Sequence, residues 1–192
     1  MATLIIGLLV FLGVHSSRLF APGWRAAQIE RRGEMTWKMV YSLIAIAGLI
    51  LIVIGYGQAR MDPVVLWNAP VWGRHLALVL TLPVFILVLA AYVPGNGLKS
   101  RLGHPMLAGV KVWALAHLLA NGTLADVLLF GGFLAWAVAC FAVFRRRDRA
   151  AGVSRPAGTT RGNVITVAAG LVLWYVFVFY LHLWLFGVSP LP

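Results

Sequence analysis

Acidic residues and cysteine are scarce in this sequence, and their scarcity excludes several kinds of site. The 192-residue chain contains five Asp and Glu residues and a single cysteine, Cys140. So few carboxylates argue against paired-carboxylate hydrolysis and against an oxygen-lined magnesium site. One cysteine excludes an intrachain disulfide, a CxxC redox pair and a thiolate cage for zinc or an iron–sulfur cluster. Five histidines remain as metal-binding side chains.

Charged residues of either sign are also few, and apolar residues dominate. Charged residues make up 11% of the chain and hydrophobic residues 61%, whereas soluble domains have about 25% charged and about 45–50% apolar residues. This composition is typical of a protein in a lipid bilayer, and it excludes a soluble globular enzyme and a disordered tail.

Six apolar stretches are candidates for helices that cross the membrane, which needs about 20 residues to span about 30 Å of hydrocarbon. They cover residues 2–20, 39–59, 75–93, 105–120, 123–143 and 164–188. The fourth and fifth are separated by a tight turn at Asn121-Gly122, and Asp126 is expected in the first turn of the fifth helix, where the helix dipole favours a carboxylate. The sequence therefore predicts an all-α polytopic membrane protein, a six-helix bundle that forms one domain over residues 1–192.

The basic residues are distributed unevenly over the predicted connections. Of the 16 Lys and Arg residues, only Arg60 and Arg74 lie in the second and fourth connections, and the other fourteen flank the first, third and fifth. The positive-inside rule then places the odd connections in the cytoplasm and both termini on the outer side of the membrane.

The run Arg145-Arg146-Arg147 has two readings. A juxtamembrane basic cluster is the usual anchor on anionic lipid, and no groove-reading element accompanies it, so nucleic acid is not expected as a partner. The predicted partners are the bilayer and its anionic lipids.

Histidines within apolar spans are the main candidates for a functional site, since ionisable groups there are costly and tend to face the bundle interior. His15 lies in the first predicted helix, three residues before Arg18. His117 lies in the fourth, one turn after Trp113 and one turn before Asn121. The small residues Gly109, Ala116 and Ala120 fall close to the same side and would accept a flat ring. The other three histidines are His75, His104 and His182.

This set of residues suits haem better than zinc. Zinc takes three or four converging protein ligands, whereas a membrane haem b needs one or two imidazoles, an apolar slot and a cation for its propionates. Arg18 or Lys111 would supply that cation.

Five segments of the chain carry a further signal. They are LGVHSSRLFAP at 12–22, YSLIAIAGLILIVIGYGQAR at 41–60, LWNAPVWGRH at 66–75, GHPMLAGVKVWALAHLLANG at 103–122 and LLFGGFLAWA at 128–137. These segments resemble the NnrU family of bacterial integral membrane proteins, and the resemblance covers nearly the whole chain.

The resemblance to this family implies a function and a ligand pair. The family is linked with nitrite and nitric oxide reduction, and it is similar to the plant 15-cis-zeta-carotene isomerase, a haem b membrane enzyme. It implies a place in the bacterial inner membrane, with both termini in the periplasm, His15 and His117 as haem ligands, and nitric oxide or a lipophilic polyene as the molecule acted on. The isomerase has a cysteine three residues before its second ligand; that position is Ala114 here, so ligand exchange through a cysteine is not implied.

Spacing along the helices offers a check on the ligand pair that the resemblance implies. His15 is about 5 Å from Arg18, and His117 is about 9 Å from Lys111. If those two cations mark one cytoplasmic interface, the imidazoles lie at similar depth and would bind one haem. If the fourth helix instead begins at Pro105 in the interface, His117 lies about 18 Å deep, and His104 becomes the alternative partner of His15.

Two alternatives come from other functional classes. The segment GHPMLAG, residues 103–109, also resembles the His-Pro element of isoprenylcysteine and thiol methyltransferases, although Asp148 is the only acid after Asp126. A non-catalytic assembly factor for respiratory enzymes needs no more than a helical bundle with interfacial Trp and Arg.

Overall fold

The computed structural model of the protein describes residues 1–191, which are mostly helical. Four helices are long and apolar enough to cross a membrane: Glu34–Met61, Val71–Tyr92, Leu124–Ala150 and Thr160–Phe186. Two further apolar helices, Ala2–His15 and Pro105–Ala120, have 14 and 16 residues. Over the described residues the only extended pairing is an isolated bridge between Val65 and Thr123. The all-α membrane prediction is confirmed, but the count of six spans is not.

The helices are numbered here in chain order. They are α1 (Ala2–His15), α2 (Ser17–Phe20), α3 (Pro22–Arg32), α4 (Glu34–Met61), α5 (Val71–Tyr92), α6 (Gly97–Leu102), α7 (Pro105–Ala120), α8 (Leu124–Ala150) and α9 (Thr160–Phe186). Helix α8 contains a π-helical turn at Val127–Gly131, and α9 contains one at Phe177–Leu181.

Helix α1 ends at His15, whereas the apolar pattern predicted a single helix to residue 20. The Ser16 hydroxyl donates a hydrogen bond of 2.6 Å to the Leu12 carbonyl, and its N–H lies within 3.0 Å of both the Leu12 and Gly13 carbonyls. Serine side chains that bond the backbone in this way compete with the regular helical pattern. At 1.5 Å per residue, the 14 residues of α1 extend only about 21 Å.

Polar helices were not anticipated from the apolar pattern. Helix α3 begins with Pro22 at its first position and has Arg31 and Arg32 in its last turn, both favourable end signals. Helix α8 likewise continues seven residues beyond the predicted end at 143, because the arginines that follow complement the negative end of its dipole.

The described chain forms two compact units. The first contains residues 1–66 and 123–132, and the second contains residues 67–122 and 133–191, so that the division falls within α8.

In the first unit, α1 packs against α4 in antiparallel fashion through glycines. A Cβ on Gly7 would lie 2.6 Å from the Ile52 nitrogen, and one on Gly48 would lie 2.8 Å from the Phe11 nitrogen. Glycine at such positions lets two helix backbones approach closely, which is a common basis of packing inside membranes. The start of α8 is joined to the end of α4 by a bond of 2.8 Å from the Leu124 N–H to the Val64 carbonyl.

In the second unit, α5 packs between α7 and α9. Gly109 of α7 faces α5, since a Cβ there would lie 3.3 Å from the Leu87 Cβ. Gly170 of α9 faces Ile86 of α5 in the same way, with a Cβ-to-Cγ1 separation of 2.7 Å. One turn away, the Trp174 indole N–H donates to the Thr81 hydroxyl at 3.1 Å. The apolar helices thus meet through small residues and one interhelical hydrogen bond.

Candidate functional site

His15 is the last residue of α1, and its ring is held on two sides within the first unit. Its Nδ1 lies 2.7 Å from the Phe11 carbonyl oxygen. The Phe11 ring stacks on the imidazole with centroids 4.2 Å apart and planes at 28°, and the Tyr41 ring meets it edge-on at 5.3 Å. The side chain is half-buried.

The bond to Phe11 also determines which nitrogen of His15 is basic. A carbonyl oxygen only accepts, so Nδ1 carries the proton and Nε2 carries the lone pair. This is the tautomer in which an imidazole binds a metal through Nε2 while its other nitrogen donates to the backbone.

Arg18, predicted as the partner of haem propionates, lies in α2, beyond the break at Ser16, and is exposed. The other cation considered for this role, Lys111 of α7, belongs to the second unit. Its ammonium lies 3.7 Å from the centroid of the Phe141 ring, a cation–π geometry.

His117 has the same local arrangement as His15, within the second unit. Its Nδ1 lies 2.8 Å from the Trp113 carbonyl oxygen, and the Trp113 ring lies 5.2 Å from the imidazole centroid. The Asn121 amide donates to the His117 carbonyl at 2.9 Å and so ends α7. The Phe133 ring meets Trp113 edge-on at 5.5 Å. The structure therefore brings together His117, Trp113 and Asn121, the three predicted site residues around α7.

Of the small residues expected to accept a flat ring beside His117, two are buried. Gly109 packs against Leu87 of α5, and Ala116 is 0% exposed. Ala120 is half-buried.

His104 has a different environment from the other two candidates. Helix α7 does begin at Pro105, the start for which His104 was the alternative ligand, and His104 is its N-cap residue. Its Nε2 lies 2.8 Å from the Asp148 carboxylate, which also accepts a bond of 2.5 Å from Arg155. This imidazole is thus bonded through Nε2 to a carboxylate, whereas His117 is bonded through Nδ1 to a backbone carbonyl. For this reason His117 remains the better candidate ligand, although α7 begins at Pro105.

The remaining histidines share parts of these patterns. His75 places Nδ1 2.9 Å from the Val71 carbonyl oxygen and is exposed. His182, near the end of α9, places Nδ1 2.8 Å from the Val188 carbonyl oxygen and is half-buried. Within residues 1–191, no three His, Cys, Asp or Glu side chains are grouped to hold a metal ion. A haem iron needs only one or two protein ligands.

A buried polar cluster in the first unit was only half anticipated from the sequence. Asp126 lies in the first turn of α8, as expected from the sequence, and forms a capping box there with Thr123. Its other carboxylate oxygen accepts a bond of 2.5 Å from the Tyr56 hydroxyl of α4, a partner that nothing in the pattern around Tyr56 indicated.

Comparison with known proteins supports the resemblance noted in the sequence. No curated protein and no solved structure matches the chain. A sequence model described as NnrU protein matches residues 3–190. Since this match covers almost the whole chain, the protein belongs to the NnrU family.

Proposed function

We propose that this NnrU-family membrane protein binds haem b, with the imidazoles of His15 and His117 as iron ligands. The observation that carries the proposal is the shared local geometry of the two histidines. Each is half-buried in an apolar helix, donates from Nδ1 to the carbonyl four residues earlier, and packs against the aromatic side chain of that same residue. Each is thereby oriented with Nε2 as the basic nitrogen.

The surroundings of the two histidines fit the chemistry of a haem. Phe11 and Tyr41 beside His15, and Trp113 beside His117, supply apolar and aromatic surface. Arg18 follows His15 by three residues and supplies a cation suited to a propionate. Asn121 acts as a positioning residue, since its amide bonds the His117 carbonyl. When bound, haem b supplies an iron that changes oxidation state and takes up nitric oxide.

A redox-linked role follows from such a cofactor. Family membership favours nitrogen-oxide metabolism of the denitrifying type, and the isomerisation of a lipophilic polyene is the second reaction consistent with a haem in an apolar bundle. The two differ in the molecule that must reach the iron: nitric oxide in the first case and a long apolar chain in the second.

The test is an optical spectrum of the purified full-length chain supplemented with haem. We expect a Soret band in the wild type that shifts when nitric oxide is added to the reduced protein. The variants His15→Ala and His117→Ala should each shift the wavelength of the Soret band, and the double variant should lose the band. His75→Ala is a matched control, because His75 makes the same Nδ1-to-carbonyl bond but is exposed.

Two results would contradict the proposal in different ways. A wild-type preparation that takes up no haem would overturn haem binding itself. A Soret band that survives in the double variant would leave haem binding in place but overturn the assignment of the ligands.

A further inference from the structure

One end of the second unit carries a dense group of cations on an ordered frame. The frame consists of residues 94–104, between α5 and α7, and residues 145–163, from the end of α8 to the start of α9; we call it the basic cap. Within it are eight Lys and Arg residues and one acid: Lys99, Arg101, Arg145, Arg146, Arg147, Arg149, Arg155, Arg161 and Asp148.

Backbone contacts hold the two segments of the basic cap together. The Thr159 N–H donates to the Gly95 carbonyl at 2.7 Å, and the Gly97 N–H donates to the Asn163 side-chain oxygen at 2.6 Å. A Cβ on Gly158 would meet the backbone of Gly97. Contacts this close require the two segments to be ordered relative to each other, unlike a flexible basic tail.

Two of the arginines bond within the basic cap. Arg155 donates to Asp148 at 2.5 Å, and the same carboxylate also faces His104. Arg145 donates to the Leu102 carbonyl at 3.4 Å. The single acid is therefore already paired, while Arg146, Arg149 and Arg161 are exposed on the same frame.

The exposed cations stand where the apolar spans end. Phe144 is the last large apolar residue of α8, and the Arg147 guanidinium lies 6.0 Å from the centroid of its ring. Arg161 precedes the apolar run that begins at Val164 by three residues. In a bilayer, the groups found at the ends of apolar spans are the lipid headgroups.

The orientation of the chain in the membrane explains why cations lie on one side of the bilayer. It does not explain why individual arginines occupy electrostatically unfavourable positions. Arg161 lies in the first turn of α9, where the positive end of the helix dipole disfavours a cation. Arg146 and Arg149 are neighbours of like charge on the surface of α8, which is also unfavourable. A bound anion would offset both.

We propose that the basic cap is a binding site for the phosphate groups of anionic phospholipids, with Arg146, Arg149 and Arg161 as the residues that contact the headgroup. Guanidinium groups suit this ligand because they bond phosphate oxygens in pairs. The anionic headgroup neutralises the exposed arginines that Asp148 does not pair.

The test uses the full-length chain in a non-ionic detergent, titrated with short-chain phosphatidylglycerol, with short-chain phosphatidylcholine and with inorganic phosphate. Binding is followed by native mass spectrometry. We expect the wild type to bind phosphatidylglycerol more tightly than the other two probes. The double variant Arg146→Gln/Arg149→Gln should bind it about 30-fold more weakly, and Arg161→Gln about 5-fold more weakly.

The control variant also removes two positive charges, but from the first unit. Arg31 and Arg32 are exposed at the end of α3, in a connection predicted on the same side of the membrane. Arg31→Gln/Arg32→Gln should bind phosphatidylglycerol as the wild type does. An equal loss in this control, or wild-type affinity in the cap variants, would overturn the proposal. Equal affinity for inorganic phosphate would show a site for free phosphate instead of lipid.

Discussion

Asp126 is 4% exposed in an apolar environment, and every hydrogen bond it makes is therefore costly to lose. One carboxylate oxygen accepts from the Thr123 N–H at 2.8 Å and from the Thr123 hydroxyl at 2.6 Å. The other accepts from Tyr56. The first pair of bonds closes the start of α8, and the third links this start to α4. The carboxylate thus acts both as a helix cap and as an interhelical tie.

Substitutions at this pair should reveal that double role. Tyr56→Phe removes only the tie and should lower the free energy of unfolding by about 1 kcal/mol. Asp126→Ala removes the cap as well and should cost about 2–3 kcal/mol. The double variant should cost no more than Asp126→Ala, because the Tyr56 hydroxyl then has no carboxylate to bond. Reversible unfolding in mixed micelles measures all three, and strictly additive losses would contradict a direct bond.

At the scale of helices, the antiparallel pair α1 and α4 depends on backbone approach at three glycines. A Cβ on Gly55 would meet the backbone of Leu4, which leaves no flexible side chain to move aside. Gly57, two residues along the same helix, has nothing within 4 Å of its added Cβ. Comparing substitutions at these two glycines therefore separates the effect of helix packing from the effect of helix propensity.

Alanine at the two positions should therefore have opposite effects. Gly55→Ala forces α1 away from α4 and should destabilise the protein by about 1–3 kcal/mol. Gly57→Ala should be neutral or stabilising by up to about 1 kcal/mol, since alanine is the better helix former. Thermal unfolding of both variants in the same detergent provides the comparison. If both variants lost stability equally, the close approach of the two backbones would not be what stabilises this pair.

The apolar helices of this protein are predictable from its sequence, but the contacts between them are not. The apolar composition was enough to predict α7, whose bounds match the prediction. It was also enough to predict the central parts of α4, α5, α8 and α9. Helices α3 and α6 were missed because they are polar, and the end of α1 because a serine hydroxyl that bonds the backbone does not interrupt the apolar pattern. The bonds from Tyr56 to Asp126 and from His104 to Asp148 join residues 70 and 44 positions apart. Such pairs depend on how helices pack, which apolar periodicity alone does not specify.

At the scale of the whole molecule, the uneven distribution of cations predicts the orientation of the chain. Asn68 lies in the connection between α4 and α5. Arg60 and Arg74, which precede and follow it in the sequence, are the only basic residues assigned to the outer side. Ser154 lies between α8 and α9, among the arginines of the basic cap. Both side chains are exposed, and the native Cys140 is 0% exposed. Single cysteines at these positions would report the two sides separately.

The orientation can be measured in cells that express the full chain with Cys140→Ser. A membrane-impermeant maleimide should label Asn68→Cys in intact cells, because its connection faces the periplasm if the basic connections stay in the cytoplasm. Ser154→Cys should be labelled only after the cells are permeabilised. The reverse pattern would place the basic cap outside, away from the anionic cytoplasmic leaflet that its arginines are proposed to bind. Labelling of both cysteines from outside would instead mean that an even number of spans separates the two positions, and the topology inferred from charge would be wrong.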